Sequence, residues 1–209
     1  MTVFCLVELD SGAVADVSLR ALTFARGLGP VAAVACASPS DVPVTDLAAY
    51  GVTDVYAVAI DCYAPRAWAW VIANLVPGVF SGVSAAPFPR GDDPPVDPPA
   101  GPTVVLAAGT DHGNEVLAHL GAITDSPMAA NCVSAALSDS TLQLTRQRWA
   151  GLLLEDVVLD LERSLVSLGA PIALLTVATD AVSPEAAEVP TDVTMHVVTP
   201  SLTAAHLFQ

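Results

Sequence analysis

The chain has no lysine. All seven basic residues are arginine, against 22 acidic residues, and the formal net charge is −15. The absence of lysine excludes a Walker-type phosphate-binding lysine and a Schiff-base lysine. The scarcity of positive charge argues against a nucleic-acid partner, because such binding depends on neutralising phosphates with basic residues. The acidity itself is typical of a well-solvated protein surface.

The sequence also lacks the short motifs of common catalytic loops, with no GxSxG, GxGxxG or CxxC. No two of the four cysteines have metal-ligand spacing. Cys5, Cys36 and Cys132 lie in apolar strand patterns typical of core residues, whereas Cys62 follows an acid in a loop. No disulfide framework is evident, which favours a reducing compartment. We therefore predict no metal site and assign no catalytic residue.

Long apolar runs are missing although 53% of the residues are apolar and the mean hydropathy is +0.59. No run reaches the length of about 20 residues that a bilayer requires. No Lys or Arg precedes Val3, so the basic region of a secretory signal is absent. We expect a cytoplasmic protein without a membrane span. The surplus of apolar residues predicts an interface with a partner.

Strand and helix patterns alternate along the first 120 residues, which predicts an α/β fold with a mostly parallel, Rossmann-like sheet and flanking helices. Three strand-like runs without a helix between them then predict an antiparallel excursion near residues 129–161. The predicted strands are Val3–Leu9, Val31–Ala37, Val55–Ile60, Val104–Ala108, Ala129–Leu137, Leu142–Trp149, Leu152–Leu161, Ile172–Ala178 and Val193–Val198. The predicted helices are Val14–Leu28, Val42–Tyr50, Ala67–Leu75, Glu115–Leu120 and a short terminal helix from Ser201.

The length of 209 residues suits one sizeable domain, which we place at residues 1–180 with a C-terminal tail at 181–209. Residues 86–102 hold seven of the 17 prolines. Proline removes backbone donors that helices and sheets need, so this segment is predicted to be an exposed insertion.

One turn carries a candidate ligand-binding residue. His112 lies in the polar sequence Thr110–Gly113, directly after the buried run Val104–Ala108. Doubly wound sheets place ligands at this carboxyl edge, and Gly109 and Gly113 permit close approach. The turn can equally serve only as the N-cap of the next helix, with Thr110 or Asp111 accepting its free N–H groups. In that case His112 faces solvent.

A compact basic and aromatic group, Arg146, Arg148 and Trp149, stands out in this acidic chain. Arginine and tryptophan are favoured anchors of protein interfaces. The three residues therefore predict either a partner interface or a solvated strand face. The nearby acids Glu155-Asp156 interrupt a strand pattern and predict a sheet edge or a bulge.

Several segments carry a family resemblance in their order along the chain. They are the opening strand Val3–Glu8, the turn Asp10–Gly12, the helix Ser18–Leu28, the passage Leu47–Tyr56, the stretch 103–135, the turn Trp149–Gly151 and the strand Ala170–Val177. Together they resemble the N-terminal domain of the alpha subunit of electron transfer flavoproteins, the FixB family. Asn131-Cys132-Val133 stands where that family usually has an Asp-Val pair.

The resemblance implies a non-catalytic component that packs against a beta-type subunit. The complex would support electron transfer from flavin dehydrogenases toward a quinone-linked acceptor. In that family a second domain of the alpha subunit carries most of the FAD-binding residues, and no segment after residue 180 resembles it. FAD is therefore expected in the assembled complex and not on this chain alone, and AMP is expected in the partner subunit. The alternative is a stand-alone nucleotide-binding module of the universal-stress-protein type, using the loops after Leu9, Ala37 and Gly109.

Overall fold

A computed structural model describes residues 2–60, 62–76, 103–138, 141–161, 172–200 and 202. The predicted insertion at 86–102 lies outside these residues, as does nearly all of the terminal helix predicted from Ser201.

The described residues form an α/β fold around a nine-stranded, mostly parallel sheet, as the sequence predicts. The strands are β1 (Val3–Val7), β2 (Leu9–Asp10), β3 (Ala13–Val14), β4 (Val31–Ala35), β5 (Val52–Val58), β6 (Thr103–Ala108), β7 (Met128–Ser138), β8 (Thr141–Arg148), β9 (Leu153–Asp160), β10 (Ile172–Val177) and β11 (Thr194–Val198). The helices are α1 (Asp16–Arg26), α2 (Val44–Ala49), α3 (Pro65–Leu75) and α4 (Asp111–Thr124). The order across the sheet is β11-β5-β4-β1-β6-β10-β7-β8-β9, and β2 and β3 form a separate antiparallel pair.

The central strands are buried on both faces, which explains their continuous apolar sequences. Helices α1 and α2 cover one face, where Leu22 and Leu47 pack with Val3 and Cys5. Helices α3 and α4 cover the opposite face. The sheet therefore has two apolar layers, and its exposed functional groups lie at the strand ends and at the edges.

The predicted antiparallel excursion is present. Strand β7 pairs in parallel with β10 and then in antiparallel with β8, which pairs with β9. Leu142 and Leu144 on β8 are buried, in keeping with one dry face. Strand β9 is one edge of the sheet, so Glu155 and Asp156 mark an edge, one of the two roles predicted for them.

The segment after β10 crosses α1 and α2 before it enters the sheet again. Arg20 of α1 donates to the carbonyl of Val182 at 3.1 Å, and the N–H of Ala187 donates to the carbonyl of Ala49 at the end of α2. We call residues 181–193 the strap. Strand β11 then pairs in parallel with β5. Strand β11 is therefore the second edge of the main sheet, although the predicted domain boundary at residue 180 assigns it to the C-terminal tail.

The histidine of this edge strand links β11 to β5. His196 Nε2 lies 3.0 Å from Asp54 Oδ1, and the imidazole stacks on Tyr56 with 4.7 Å between ring centroids. Burial, followed by the charge of Asp54, raises the pKa of Tyr56. These contacts give His196 a structural role, because they join β11 to β5.

Helix α4 begins at Asp111 and ends at Thr124, so it extends the predicted core Glu115–Leu120 by about a turn at each end. Thr110 is its N-cap, and the Thr110 hydroxyl accepts the N–H of Gly113 at 2.9 Å. This is one of the two caps that the sequence allowed. Asp125 ends the helix in the left-handed conformation, which short polar residues tolerate.

Candidate functional site

The paths of the connections define two crevices at the carboxyl ends of the parallel strands. After β1 the chain enters α1 on one face, whereas after β6 it enters α4 on the other. After β10 it returns as the strap across α1. Adjacent strands whose connections leave toward opposite faces open a crevice between them, where ligands of such folds bind. One crevice lies between β1 and β6, and the second lies between β6 and β10.

The crevice between β1 and β6, which we call the first cleft, has a volume of about 610 Å³, within the usual range for small-molecule sites. Its lining comes from the loops after β1, β4, β5 and β6. The residues are Val7, Glu8, Leu9, Asp10, Ala15, Cys36, Ala37, Ser38, Asp41, Ile60, Cys62, Tyr63, Trp68 and His112. Among these, the carboxylates are Glu8, Asp10 and Asp41, and no arginine is included. The first cleft is therefore acidic.

Glu8 joins the two loops that border this cleft. Its Oε1 accepts a hydrogen bond from the Thr110 hydroxyl at 2.5 Å, and its backbone N–H donates to Ser18 Oγ at 2.8 Å. Because Thr110 also caps α4, a single hydroxyl fixes the start of that helix relative to the end of β1. Ser18 is fully buried in α1. Thr110 thus holds the carboxylate of Glu8, while Ser18 of α1 holds its backbone N–H.

His112 has partners that the sequence interpretation missed. Its ring stacks on Tyr63, with 4.1 Å between centroids, and its Nδ1 lies 3.9 Å from Glu8 Oε2. Tyr63 comes from the loop before α3, about 50 residues away, so local sequence gave no signal of this contact. The His112 side chain is 56% exposed, in keeping with the predicted alternative in which it faces solvent, and it also forms part of the wall of the first cleft.

Tyr63 is the centre of a small aromatic group. Its hydroxyl donates to Glu115 Oε2 at 2.7 Å, and Trp68 meets its ring edge-on at 5.3 Å. Desolvation, the hydrogen bond to Glu115 and the surrounding carboxylates raise the pKa of Tyr63. The phenol therefore stays protonated at neutral pH and acts as a donor, not as a base. Among the residues described, no group of three or more His, Cys, Asp or Glu could hold a metal ion.

The second cleft, about 450 Å³, lies between the ends of β6 and β10 and the turn that joins β8 to β9. Its lining is more polar and mixes charges of both signs. The residues are Gly109, Asn131, Gln147, Arg148, Trp149, Ala150, Gly151, Ala178, Thr179 and Asp180. Two of the three residues predicted as a partner interface thus border a cavity, a relationship that sequence spacing did not reveal.

The backbone around the second cleft is unusual. Trp149, Ala150 and Gly151 adopt positive φ in succession, at 53°, 52° and 83°, and Asn131 has φ 58°. Non-glycine residues rarely adopt this conformation, and Trp and Ala lack the short polar side chain that makes it tolerable for Asn. Gly109 is required by packing, because a Cβ there would lie 2.8 Å from both Asn131 Oδ1 and the carbonyl oxygen of Val177.

Arg146 and Arg148 share one acid across the antiparallel pair. Arg146 Nε lies 2.7 Å from Glu155 Oε2, whereas Arg148 Nε lies 3.7 Å from the same oxygen. Arg146 is mostly buried and firmly paired, whereas Arg148 is half-exposed and held loosely. Trp149 is 75% exposed. The structure therefore separates the three predicted residues into one structural arginine and two groups available for contact.

The outer face of β9 exposes large apolar side chains. Leu154 is 67% exposed and Val158 is 63% exposed. They pair across the strand with Gln147 and Gln143, on the face opposite to buried Leu144. Together with Leu152 and Trp149 of the adjoining turn, which are also exposed, they form what we call the arm surface. Apolar side chains concentrated in this way on an edge hairpin are typical of an interface.

The fold and its clefts define a doubly wound α/β domain with an antiparallel arm. Comparisons with known protein families and with curated proteins give no match to this chain. None of the helices in the described ranges is both long and apolar enough to cross a bilayer.

Proposed function

We propose that the chain is an alpha-type subunit, or part of one, of an electron transfer flavoprotein, and that it docks a beta-type subunit through its arm surface. The observation that carries the proposal is the exposure of Leu154, Val158 and Trp149 on the antiparallel arm. The ordered resemblance along residues 1–180 supplies the identity of the partner. In this role the chain supports electron transfer from a flavin dehydrogenase to a quinone-linked acceptor and catalyses no bond chemistry itself. FAD belongs to the assembled complex, AMP to the partner subunit, and the setting is the cytoplasm.

The acidic first cleft supports this choice over the stress-protein alternative. A nucleotide-binding module must attract phosphate, usually with backbone N–H groups and a cation. The first cleft instead presents the carboxylates of Glu8, Asp10 and Asp41. The first cleft lies where folds of this kind bind nucleotides, between strands whose connections leave toward opposite faces. Its negative charge, however, disfavours a phosphate.

Co-expression with a beta-type subunit tests the proposal. We expect light scattering to show a one-to-one complex, and its visible spectrum to show flavin only when a flavin-binding domain is also supplied. A double change, Leu154→Ser with Val158→Ser, should weaken the complex at least about tenfold, because burial of each Leu or Val side chain contributes roughly 1.5–3 kcal/mol. Trp149→Ala should weaken it similarly.

Val189→Ser is the matched control. Val189 is 74% exposed but lies in the strap, away from the arm surface, so its loss should leave the affinity unchanged. A monodisperse monomer that ignores the co-expressed subunit would overturn the proposed function. Equal weakening by the arm and strap variants would overturn the docking surface.

A further inference from the structure

We propose that the second cleft binds a small aromatic monocarboxylate, with the ring against the indole of Trp149 and the carboxylate on the guanidinium of Arg148. The site goes beyond the docking role, since it belongs to the chain alone and needs no partner.

The first reason is topological. The connection from β6 and the connection from β10 leave the sheet toward opposite faces, and the second cleft opens between them. This is the arrangement in which α/β sheets bind ligands. The volume of about 450 Å³ suits a bicyclic aromatic molecule with a short acidic substituent.

The second reason is the presentation of Trp149. A turn of three successive left-handed residues carries this side chain out of the hairpin, so that most of the indole is uncovered while the residue still lines the cavity. The conformation is unfavourable for Trp149 and Ala150, and such backbone outliers concentrate at binding sites. An exposed indole offers a flat surface for an aromatic ring, which prefers offset stacking or edge contact.

The third reason is the charge around the cavity. Arg148 is its cation, and its Nε lies 3.7 Å from Glu155, whereas Arg146 Nε approaches the same acid at 2.7 Å. Arg148 therefore has donors left for a second carboxylate, which a guanidinium binds in a two-pronged geometry. Asn131 and Thr179 add neutral polar groups to the lining.

The same charges set an upper limit on the ligand. Asp180 lines the cavity, with Oδ1 3.5 Å from Gln147 Nε2, and Glu155 lies beside Arg148. Arg146 and Arg148 together offset Glu155 and Asp180, so these four side chains carry no net charge. A monocarboxylate adds one negative charge beside Glu155 and Asp180, whereas a phosphate dianion adds two and meets correspondingly greater repulsion. The cleft thus favours a monoanion over a dianion or a polyphosphate.

Calorimetric titration and saturation-transfer NMR on the full chain, without a partner, test the proposal. Indole-3-carboxylate is the probe, with cyclohexanecarboxylate and AMP as comparison compounds. We expect the probe to bind, cyclohexanecarboxylate to bind at least about fivefold more weakly because it cannot stack, and AMP to give no signal at the same concentration. Binding of AMP as tight as that of the probe would overturn the monoanion assignment.

Two variants locate the site. Arg148→Gln should weaken probe binding about tenfold or more, since charge-assisted hydrogen bonds are the strong ones. Arg66→Gln removes the same charge from an exposed position on α3 and should change nothing. Trp149→Asn removes the ring yet keeps a residue that accepts positive φ, so a loss of about fivefold in affinity reports the ring and not the turn.

Absence of probe binding, or equal losses in Arg148→Gln and Arg66→Gln, would overturn the inference. Because the measurement uses the chain alone, its failure leaves the arm surface untouched. A failure of beta-subunit docking leaves this site untouched in the same way.

Discussion

Thr110 and Glu8 come from loops about 100 residues apart in sequence, and the hydroxyl of the first donates to the carboxylate of the second at 2.5 Å. The same hydroxyl accepts the N–H of Gly113 and caps α4. A single side chain therefore fixes the mouth of the first cleft and the start of the helix that borders it.

Replacement of Thr110 by valine should lower the free energy of unfolding by about 1–2 kcal/mol, because the N-cap is lost and the carboxylate of Glu8 loses a donor. Thr110→Ser keeps the hydroxyl and should retain most of the stability. Urea denaturation followed by circular dichroism measures both. Equal losses in the two variants would show that the hydroxyl does not contribute.

We expect Gly113→Ala to destabilise the protein, whereas helix propensity alone predicts that it stabilises. In an exposed helix this change stabilises by up to about 1 kcal/mol. At Gly113 a Cβ would overlap the carbonyl oxygen of Ala108, so α4 would have to move away from the end of β6. We expect a loss of about 1–3 kcal/mol, the usual cost of overpacking. Ala118→Gly, at an exposed position of α4, calibrates propensity in the same helix. A stabilised Gly113→Ala variant would contradict the close approach.

Thiol labelling should separate one cysteine from the other three. Burial raises the pKa of Cys132 to about 12, although Arg146 opposes the shift, and burial also raises the pKa of Cys5 and Cys36. A raised pKa lowers the thiolate fraction at a given pH. At pH 8, Cys132 is therefore a reactive thiolate in only about one molecule in ten thousand. Cys62 is exposed. Ellman's reagent should therefore show one fast phase, which Cys62→Ser removes, and four reactive thiols in denaturant. A fast phase that survives this change would contradict the prediction.

Nucleotides should bind the first cleft poorly. A phosphate near Glu8, Asp10 or Asp41 meets like charge, and two charges about 4 Å apart near a protein surface repel by roughly 4 kcal/mol at an effective dielectric of 20. Calorimetry with AMP, ATP and FAD should give no micromolar binding. Micromolar binding that disappears in His112→Ala would reverse the preference and favour the stress-protein alternative.

Local patterns predicted most of the fold. The run Val104–Ala108, the three strands of the arm and the cap at Thr110 depend on neighbouring residues, so they can be predicted from short windows of sequence. The edge position of Glu155 was one of the two roles predicted for it, because charges on an edge strand are visible as a break in its apolar pattern.

The candidate sites were less accessible to such reasoning. The stacking of His112 on Tyr63 joins two loops that share no local signal. The second cleft exists because β10 lies between β6 and β7 in the sheet. The hydrophobic pattern of each strand does not reveal this strand order. The left-handed conformation of Trp149 and Ala150 contradicts the preferences of both residue types, so the sequence predicted a turn there but not its direction.

The strand order also constrains how the protein is made. Strand β10 separates β6 from β7, and both of these strands leave the ribosome before it does. The arm formed by β7, β8 and β9 can form its hairpins at once, yet β10, its parallel neighbour, is synthesised later. Strand β5 likewise waits for β11, about 140 residues later. Pairings between distant segments form slowly and leave strand edges open in the meantime. The nascent chain therefore carries unpaired strand edges until β10 and β11 have been synthesised.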